Sequence, residues 1–564
     1  MYKKWWNDIG SRYWSLDPST KPATDDQKQI IYDIVTAIKN GRENIILKLG
    51  VGFGKSAIAK TIANMYESSY ILTNNIALQK QYLKDWDDIA LLMGRARYQC
   101  NEWEDTCNHC YMDHIHYTGN IDEKLKYLNK SKYWKGFPKY DSEEAWNNYL
   151  ENTIKPMRMF KCEHCPYKIA KIEAKNSDCT VCNYHSLYFN SNIINTFGSR
   201  DVIVFDEGHY FEEILCQINN GSLNPKSIYE KYGIDIFEHN EGDIIDSPNY
   251  WAAIFNNIIL KIEDEKKKVM GELHGKQDDR ILKQILHEFN QEIKEWEYKR
   301  DVVLKGEIAV TLPDDHDKPV LLEPIYSKPF NDELLRLGDI RIFMSGTFPP
   351  KMVLCKWFGL DYSKTEFIER YPNFPIENRP IICDYVGKIS GKNKDSWKNS
   401  KMEDKLLDIC YNHELDNGVI HCTRNDHVDY IADILEDEGF SAYKCYDGAY
   451  SNQTKTETIH EFINYGGILV GSNIREGLDL KGSLCNFQIL FKVPYLAYPK
   501  GGRVARRMVD DKRFYNFHTV ARIEQAYGRG IRSPADKCPF YVLDKNFENL
   551  KLRYFSSYFR EAIQ

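Results

Sequence analysis

Asp206 and Glu207 stand side by side at the end of an apolar run, Val202-Ile-Val-Phe205, and are followed by Gly208 and His209. Lys55 and Ser56 close a second stretch, in which Gly50, Gly52 and Gly54 follow the apolar residues Ile45, Ile46 and Leu47. An adjacent carboxylate pair suits two tasks at one strand tip. Asp206 would hold a divalent cation, and Glu207 would orient and deprotonate a water. The glycine turn suits a phosphate. Without side chains its N–H groups approach the oxygens, and the N-terminus of the following helix favours negative charge. Lys55 would then reach the β/γ-phosphates and Ser56 would hold Mg²⁺. The expected cofactors are ATP and Mg²⁺, with Ser56 and Asp206 on the metal. Gly50, Val51, Gly52, Phe53, Gly54, Lys55, Ser56 and Ala57 would form the cradle. Leu49 stands where this pattern usually opens with glycine.

Three further groups could serve the same chemistry. Gln27 in Thr24-Asp-Asp-Gln27 reads either as a capping-box partner or as a reader of an adenine edge. Arg529 and Arg532, three apart, are expected on one helix face, from which they could reach a γ-phosphate across an interdomain cleft. Such a pair taken alone is more often a solvated face. Lys500, Arg503, Arg506, Arg507, Lys512 and Arg513 form the densest basic run, suited either to a phosphate backbone or to a plain surface loop.

The chain has fifteen cysteines. Cys100, Cys107, Cys110, Cys162 and Cys165 cluster where strand–helix alternation is lost, and Cys107-x-x-Cys110 and Cys162-x-x-Cys165 have metal-ligand spacing. Four thiolates suit a 4Fe–4S cluster or zinc, and five candidates leave one spare. Cys179 and Cys182 read as part of a buried strand instead.

The elements that must position these groups form two α/β patterns. The first has strands around Ile45–Leu47, Tyr70–Thr73, Asp201–Asp206 and Asp339–Met344. The second begins near residue 376, with strands at Gly418–Cys422, Ile468–Gly471, Phe487–Val493 and Phe540–Asp544. Between about 210 and 322 the pattern is mainly helical. One apolar stripe runs through Trp251, Ile254, Phe255, Ile258 and Ile262, and a second through Ile281, Ile285, Phe289, Ile293 and Trp296. The first twenty residues are aromatic and irregular and suggest no role.

Composition is that of a globular protein, 42% hydrophobic and 28% charged, with a net charge of −7, so any nucleic-acid contact needs a local basic groove. No apolar run approaches a membrane span and the N-terminus lacks a signal-peptide core, which points to the cytoplasm or nucleoid and to reduced thiols.

Taken in order, the motifs resemble those of the XPD/DinG family of superfamily 2 DNA helicases. They are Gly52-Phe-Gly-Lys-Ser56, Thr73 to Gln81, Gly94-Arg-Ala-Arg-Tyr-Gln-Cys100, Cys165-Pro-Tyr167, Asn183-Tyr-His185, Asp206-Glu-Gly-His209, Ser345-Gly-Thr347, Arg475-Glu-Gly-Leu-Asp479 and Gln525-x-x-Gly-Arg-Gly-Ile-Arg532. Gly208 replaces the family's usual alanine. The resemblance implies two RecA-like P-loop motor domains, with an iron–sulfur domain and a helical arch inserted in the first. The corresponding limits are 1–95, 179–210 and 323–375 for motor domain 1, 96–178 for the cysteine-rich insertion, 211–322 for the arch and 376–564 for motor domain 2. It implies an ATP hydrolase moving 5′→3′ on single-stranded DNA and opening forks, with RNA–DNA hybrids a further candidate and no membrane partner. It also implies that Gly477 and Asp479 couple nucleotide to DNA, that Gln525, Arg529 and Arg532 complete the site, and that Thr73 and its neighbours touch the DNA backbone. Cys100 and Cys165 match the family's cysteine positions best. If Cys100 is instead the spare, the two Cys-x-x-Cys pairs would make a zinc knuckle.

Overall fold

A computed structural model describes residues 1–74, 76–99, 165–193, 196–237, 247–273, 280–313, 318–390, 393, 396–446, 452–472, 474, 480, 482–497 and 501–564. Two parallel sheets organise them. The first takes β1 (Asn44–Leu49), β2 (Ser69–Thr73), β3 (Ala90–Leu92), β4 (Cys179–Asn183) and β5 (Arg200–Asp206). The chain then forms a small antiparallel sheet from β6 (Gly221–Leu223), β7 (Ile308–Thr311) and β8 (Val320–Pro324). It returns to the first sheet with β9 (Gly338–Ser345) and β10 (Thr365–Arg370), in the order β10-β1-β9-β5-β2-β4-β3. The second sheet holds β11 (Ile381–Gly387), β12 (Gly418–Cys422), β13 (Ala442–Cys445), β14 (Ile468–Ser472), β15 (Phe487–Leu490) and β16 (Phe540–Asp544), in the order β11-β16-β15-β12-β14-β13.

Register brings the chemistry to one edge. Met344 of β9 pairs with Leu47 on one side and with Asp206 on the other, so β1, β9 and β5 end together. Every residue of β1 is buried, as covering helices on both faces of a parallel sheet require. The helix α1 (Asp25–Lys39) starts at a capping box, Thr24 with Gln27, and buries Ile30, Ile31 and Ile34. After β1 come the glycine turn and α2 (Lys55–Ala63); after β2 comes α3 (Ile76–Asp85). Pro166 opens α4 (Pro166–Asn176), and the chain leaves β5 into α5 (Phe211–Ile218). Cys179 and Cys182 are buried in β4, as their place in an apolar strand suggested.

The insertion after β5 carries two long helices, α6 (Pro248–Leu273) and α7 (Arg280–Lys305). Trp251, Ile254, Phe255, Ile258 and Ile262 of the first stripe, with Ile293 and Trp296 of the second, share one core with Leu223, Val310 and Leu322 of the small sheet. The expectation of a mainly helical segment therefore missed its three-stranded base, whose strands are too short to give a period-2 signal.

α9 and α10 join the two units, after α8 (Lys351–Phe358) has packed on the first. α9 spans Arg503–Asp510 and α10 spans Lys512–Tyr527. Phe514, Phe517 and Ala521 of α10 enter the core of the first unit beside Phe211, Phe343 and Trp357. Val520, Ile523, Ala526 and Tyr527 enter the core of the second beside Phe540 and Val542. Two stripes at helical spacing on opposite sides make α10 a helix shared by both.

The basic run is not an open loop. Arg507 is 2% exposed and donates from Nη2 to Glu212 Oε1 at 3.0 Å, and Arg503 Nη2 lies 3.6 Å from the same oxygen. Arg513 pairs with Asp511, and Lys500 lies outside the described residues. The helix expected to carry both Arg529 and Arg532 ends at Tyr527, so these arginines sit on the turn beyond it, where Gly528 and Gly530 interrupt the helical pattern. β15 likewise stops at Leu490 rather than Val493.

The aromatic N-terminus straps the first unit. Trp6 meets Trp14 edge-on at 6.0 Å, and the Trp86 indole donates to the Ser15 carbonyl at 2.6 Å. Among the described residues no helix is long and apolar enough to cross a membrane.

Candidate active site

A cleft of about 500 Å³ opens where the tips of β1, β5 and β9 face the end of α10. Lys55 and Ser56 reach it from the start of α2, and Asp206 and Glu207 from the end of β5; Gln525, Arg529 and Arg532 line it from the second unit. The six groups expected to be catalytic thus come to one cavity from two sheets.

The phosphate loop has the backbone its glycines predict. Gly52 has φ +93° and Gly54 φ +65°, both in the left-handed region that glycine tolerates best. The loop is also closely backed. A Cβ on Gly54 would fall 2.7 Å from Gln27 Nε2, and one on Gly52 would fall 3.0 Å from the Arg532 carbonyl oxygen and 3.2 Å from Phe374. On Gly50 it would meet Pro372 at 2.7 Å, and on Gly528 it would meet Val51 at 2.7 Å. The second unit and the linker Tyr371–Phe374 therefore press directly on the loop.

Gln27 belongs to that backing. Its Oε1 accepts from Thr24 N at 2.9 Å and its Nε2 donates to Phe53 O at 2.9 Å. The amide engages the helix cap and the phosphate loop, so the capping-box reading of Gln27 holds.

The carboxylate pair is buried and unequal. Burial, and then the neighbouring Glu207 charge, push Asp206 up to about 6. Glu207 goes down against the effect of its burial, because His209 bonds it and Lys55 and Arg529 attract it. Glu207 has φ +51° and is the sole non-glycine with positive φ among the described residues. That local strain aims its carboxylate into the cleft beside Lys55.

His209 ties the units together. Its Nδ1 lies 2.7 Å from Ser345 Oγ and 3.4 Å from Glu207 Oε2, and the Gln525 side-chain nitrogen lies 2.7 Å from its Nε2. In this arrangement the Gln525 amide donates to Nε2, and Nδ1–H is shared between Ser345 Oγ and the Glu207 carboxylate. Thr347 N also donates to Ser345 Oγ, at 3.1 Å. One imidazole thus joins the tips of β5 and β9 to the second unit.

The cavity fits a magnesium nucleotide. It offers a glycine cradle closed by neighbours on every side, one lysine, a hydroxyl at a helix start and a desolvated carboxylate pair. Ser56 and Asp206 would hold the ion, which would neutralise charge on the β/γ oxygens. Tyr82 was missed in the sequence. Its hydroxyl donates to Asp206 Oδ2 at 3.0 Å and lies near Ser56. A tyrosine within an amphipathic helix carries no spacing signal that separates this role from core packing. Gly477 and Asp479 lie outside the described residues, as do Cys100, Cys107, Cys110 and Cys162. Cys165 is buried at the start of α4.

Two parallel α/β units closing on a phosphate loop define a two-domain P-loop motor ATPase. The helicase C-terminal domain family matches residues 406–562, and the family of the type III restriction enzyme res subunit matches residues 20–230. The ATP-dependent DNA helicase YoaA of Haemophilus influenzae is 24% identical over 238 residues, 36% of this chain and 36% of that protein. The ATP-dependent DNA helicase XPD of Sulfolobus acidocaldarius is 25% identical over 459 residues, 69% of this chain and 79% of that protein. The likeness thus spans about a third of the first relative's length and about four fifths of the second's. Among solved structures, an XPD helicase superimposes with a TM-score of 0.53 at 16% identity, covering 94% of this chain and 97% of that one. S. tokodaii Xpd4 gives 0.50 at 13% identity, covering 96% and 99%. These two carry the fold. The family matches and the sequence relatives, on this shared fold, support a helicase of the XPD/DinG type.

Proposed function

We propose that the protein is an ATP-dependent DNA helicase that moves 5′→3′ on single-stranded DNA and separates duplex ahead of it. The observation that carries this reading is the meeting of Arg529 and Arg532 with Lys55, Asp206 and Glu207 in one cavity. In this reading the loop amides and Lys55 bind the β/γ-phosphates. Glu207, held ionised by Lys55, Arg529 and His209, orients the attacking water and takes its proton. Arg529 and Arg532 meet charge that develops on the transferring phosphoryl group. Gln525 reports closure through His209. Thr73 itself is fully buried at the end of β2, which corrects its expected contact with DNA. The partly exposed residues that follow it at the start of α3 contact the DNA backbone, and Gly477 and Asp479 couple the two ligands. The DEAH-like character of Asp206–His209, the domain limits given above and a DNA-framing arch belong to the same proposal. So does a 4Fe–4S cluster on four of Cys100, Cys107, Cys110, Cys162 and Cys165, with zinc as the alternative.

Lys55→Ala is expected to abolish DNA-stimulated ATP hydrolysis while leaving the thermal midpoint in place. Normal turnover by the folded variant would refute the site. Forked substrates with a single 5′ or 3′ tail then test direction. Opening only from a 5′ tail is expected; ATP hydrolysis without any opening would leave a translocase.

A further inference from the structure

Tyr82 is fully buried, yet its hydroxyl is spent on neither core nor backbone. It donates to Asp206 Oδ2 at 3.0 Å, one of the two side chains that would hold Mg²⁺, and lies near the other, Ser56. The other Asp206 oxygen accepts from Glu207 N at 3.0 Å, so both oxygens of that carboxylate are oriented by the protein. The Tyr82 ring is held in turn. Trp86 packs on it at 5.3 Å, and Trp86 is pinned to the Ser15 carbonyl. Tyr82 also lies on α3, the helix that begins just beyond β2 and whose Ala77, Leu78 and Gln81 line the cleft.

From this placement we propose that Tyr82 is a positioning residue for the magnesium nucleotide, and that it links movement of α3 to the geometry of Asp206 and Ser56. The proposal rests on the reading of the cavity as a nucleotide site and of the residues just after Thr73, at the start of α3, as strand contacts. A strand gripped at the start of α3 displaces a rigid helix. The Tyr82 hydroxyl moves with it and turns the Asp206 carboxylate, beside Ser56, toward or away from the ion. A tyrosine that served only the core would fill the same volume without touching Asp206.

Tyr82→Phe removes one oxygen and keeps the ring. The measurement is binding of N-methylanthraniloyl-labelled AMP-PNP, which is not hydrolysed, titrated with Mg²⁺ in the presence and absence of an oligothymidylate. Loss of a hydrogen bond to a charged group is expected to raise the half-saturating Mg²⁺ about five-fold or more. The variant should also lose most of the change that the oligothymidylate causes in the parent's Mg²⁺ titration, with nucleotide binding in EDTA unaltered. Trp86→Phe, which frees the ring and keeps the hydroxyl, should shift the titration in the same direction by less. If Tyr82→Phe gives the parent's Mg²⁺ curve with and without oligothymidylate, Tyr82 is a core residue and the proposal fails. If the parent itself binds no nucleotide at any Mg²⁺ concentration, the assignment of the cavity fails first and takes this proposal with it.

Discussion

His427 lies fully buried between Trp397 and Phe491, and neither ring nitrogen has a hydrogen-bond partner among the described residues. Burial, with Lys492 nearby, lowers it to about 4; Asp426 and Arg424 pull in opposite directions. An unfolded histidine takes a proton near pH 6.5. Between that pH and about 4 the unfolded chain therefore holds the extra proton, and stability falls as pH falls, by at most about 1.4 kcal/mol per pH unit. His427→Phe is expected to flatten that slope and to leave stability at pH 7.5 equal or higher, which urea unfolding at several pH values would check. At this scale the sequence was readable where spacing carries chemistry. Lys55, Ser56, Asp206 and Glu207 stand in patterns that few other tasks require. Tyr82, Glu212 and Arg507 were not readable, because nothing local tells a buried polar partner from a core ring or a surface charge.

Among elements, one of the tight fits is where β9 pairs with β5. A Cβ on Gly338 would fall 2.3 Å from Ile203 Cγ2 and 2.9 Å from Ile203 N, so the start of β9 has no room for a side chain. Gly338→Ala is expected to cost about 1–3 kcal/mol, the usual range for overpacking, and to lower the thermal midpoint by several degrees. Nucleotide affinity at low temperature should change little, since the site lies at the other end of the strand. β1, β5, β9 and β12 were legible as apolar runs because both of their faces are covered. β10 (Thr-Glu-Phe-Ile-Glu-Arg) was not, because a sheet-edge strand keeps polar residues. The helix carrying Gln525 ends before Arg529 and Arg532, because the three-residue spacing of the arginines suggested a helix that Gly528 and Gly530 interrupt.

Across the whole molecule, the two units are joined by a buried charge cluster. Glu212 directly follows the Asp206–His209 stretch and faces Arg503 and Arg507 of α9, while the Arg507 guanidinium also lies 4.1 Å from the Tyr326 ring. Glu212→Gln leaves two arginines enclosed with no anion at that position, a loss of about 3–5 kcal/mol by the usual cost of breaking a buried pair. The expected result is a lower melting midpoint by calorimetry, with the two units unfolding separately rather than together. Replacing Glu212, Arg503 and Arg507 together by apolar residues of similar size should restore much of the loss. That two α/β halves exist was plain from the sequence. How they dock was not, because docking depends on residues that a charge count places on the surface.

The linker from β10 to β11 rests its Tyr371, Pro372 and Phe374 on the glycines of the phosphate loop. In the proposed reading, the fulcrum about which the halves would swing lies against the phosphate loop rather than at a remote strap. A small shift beneath a γ-phosphate held there would then be multiplied along the full radius of the second half, as a short crank drives a long arm. A machine hinged this close to its fuel needs no relay of intermediate parts to turn cleavage of one bond into travel at the far rim.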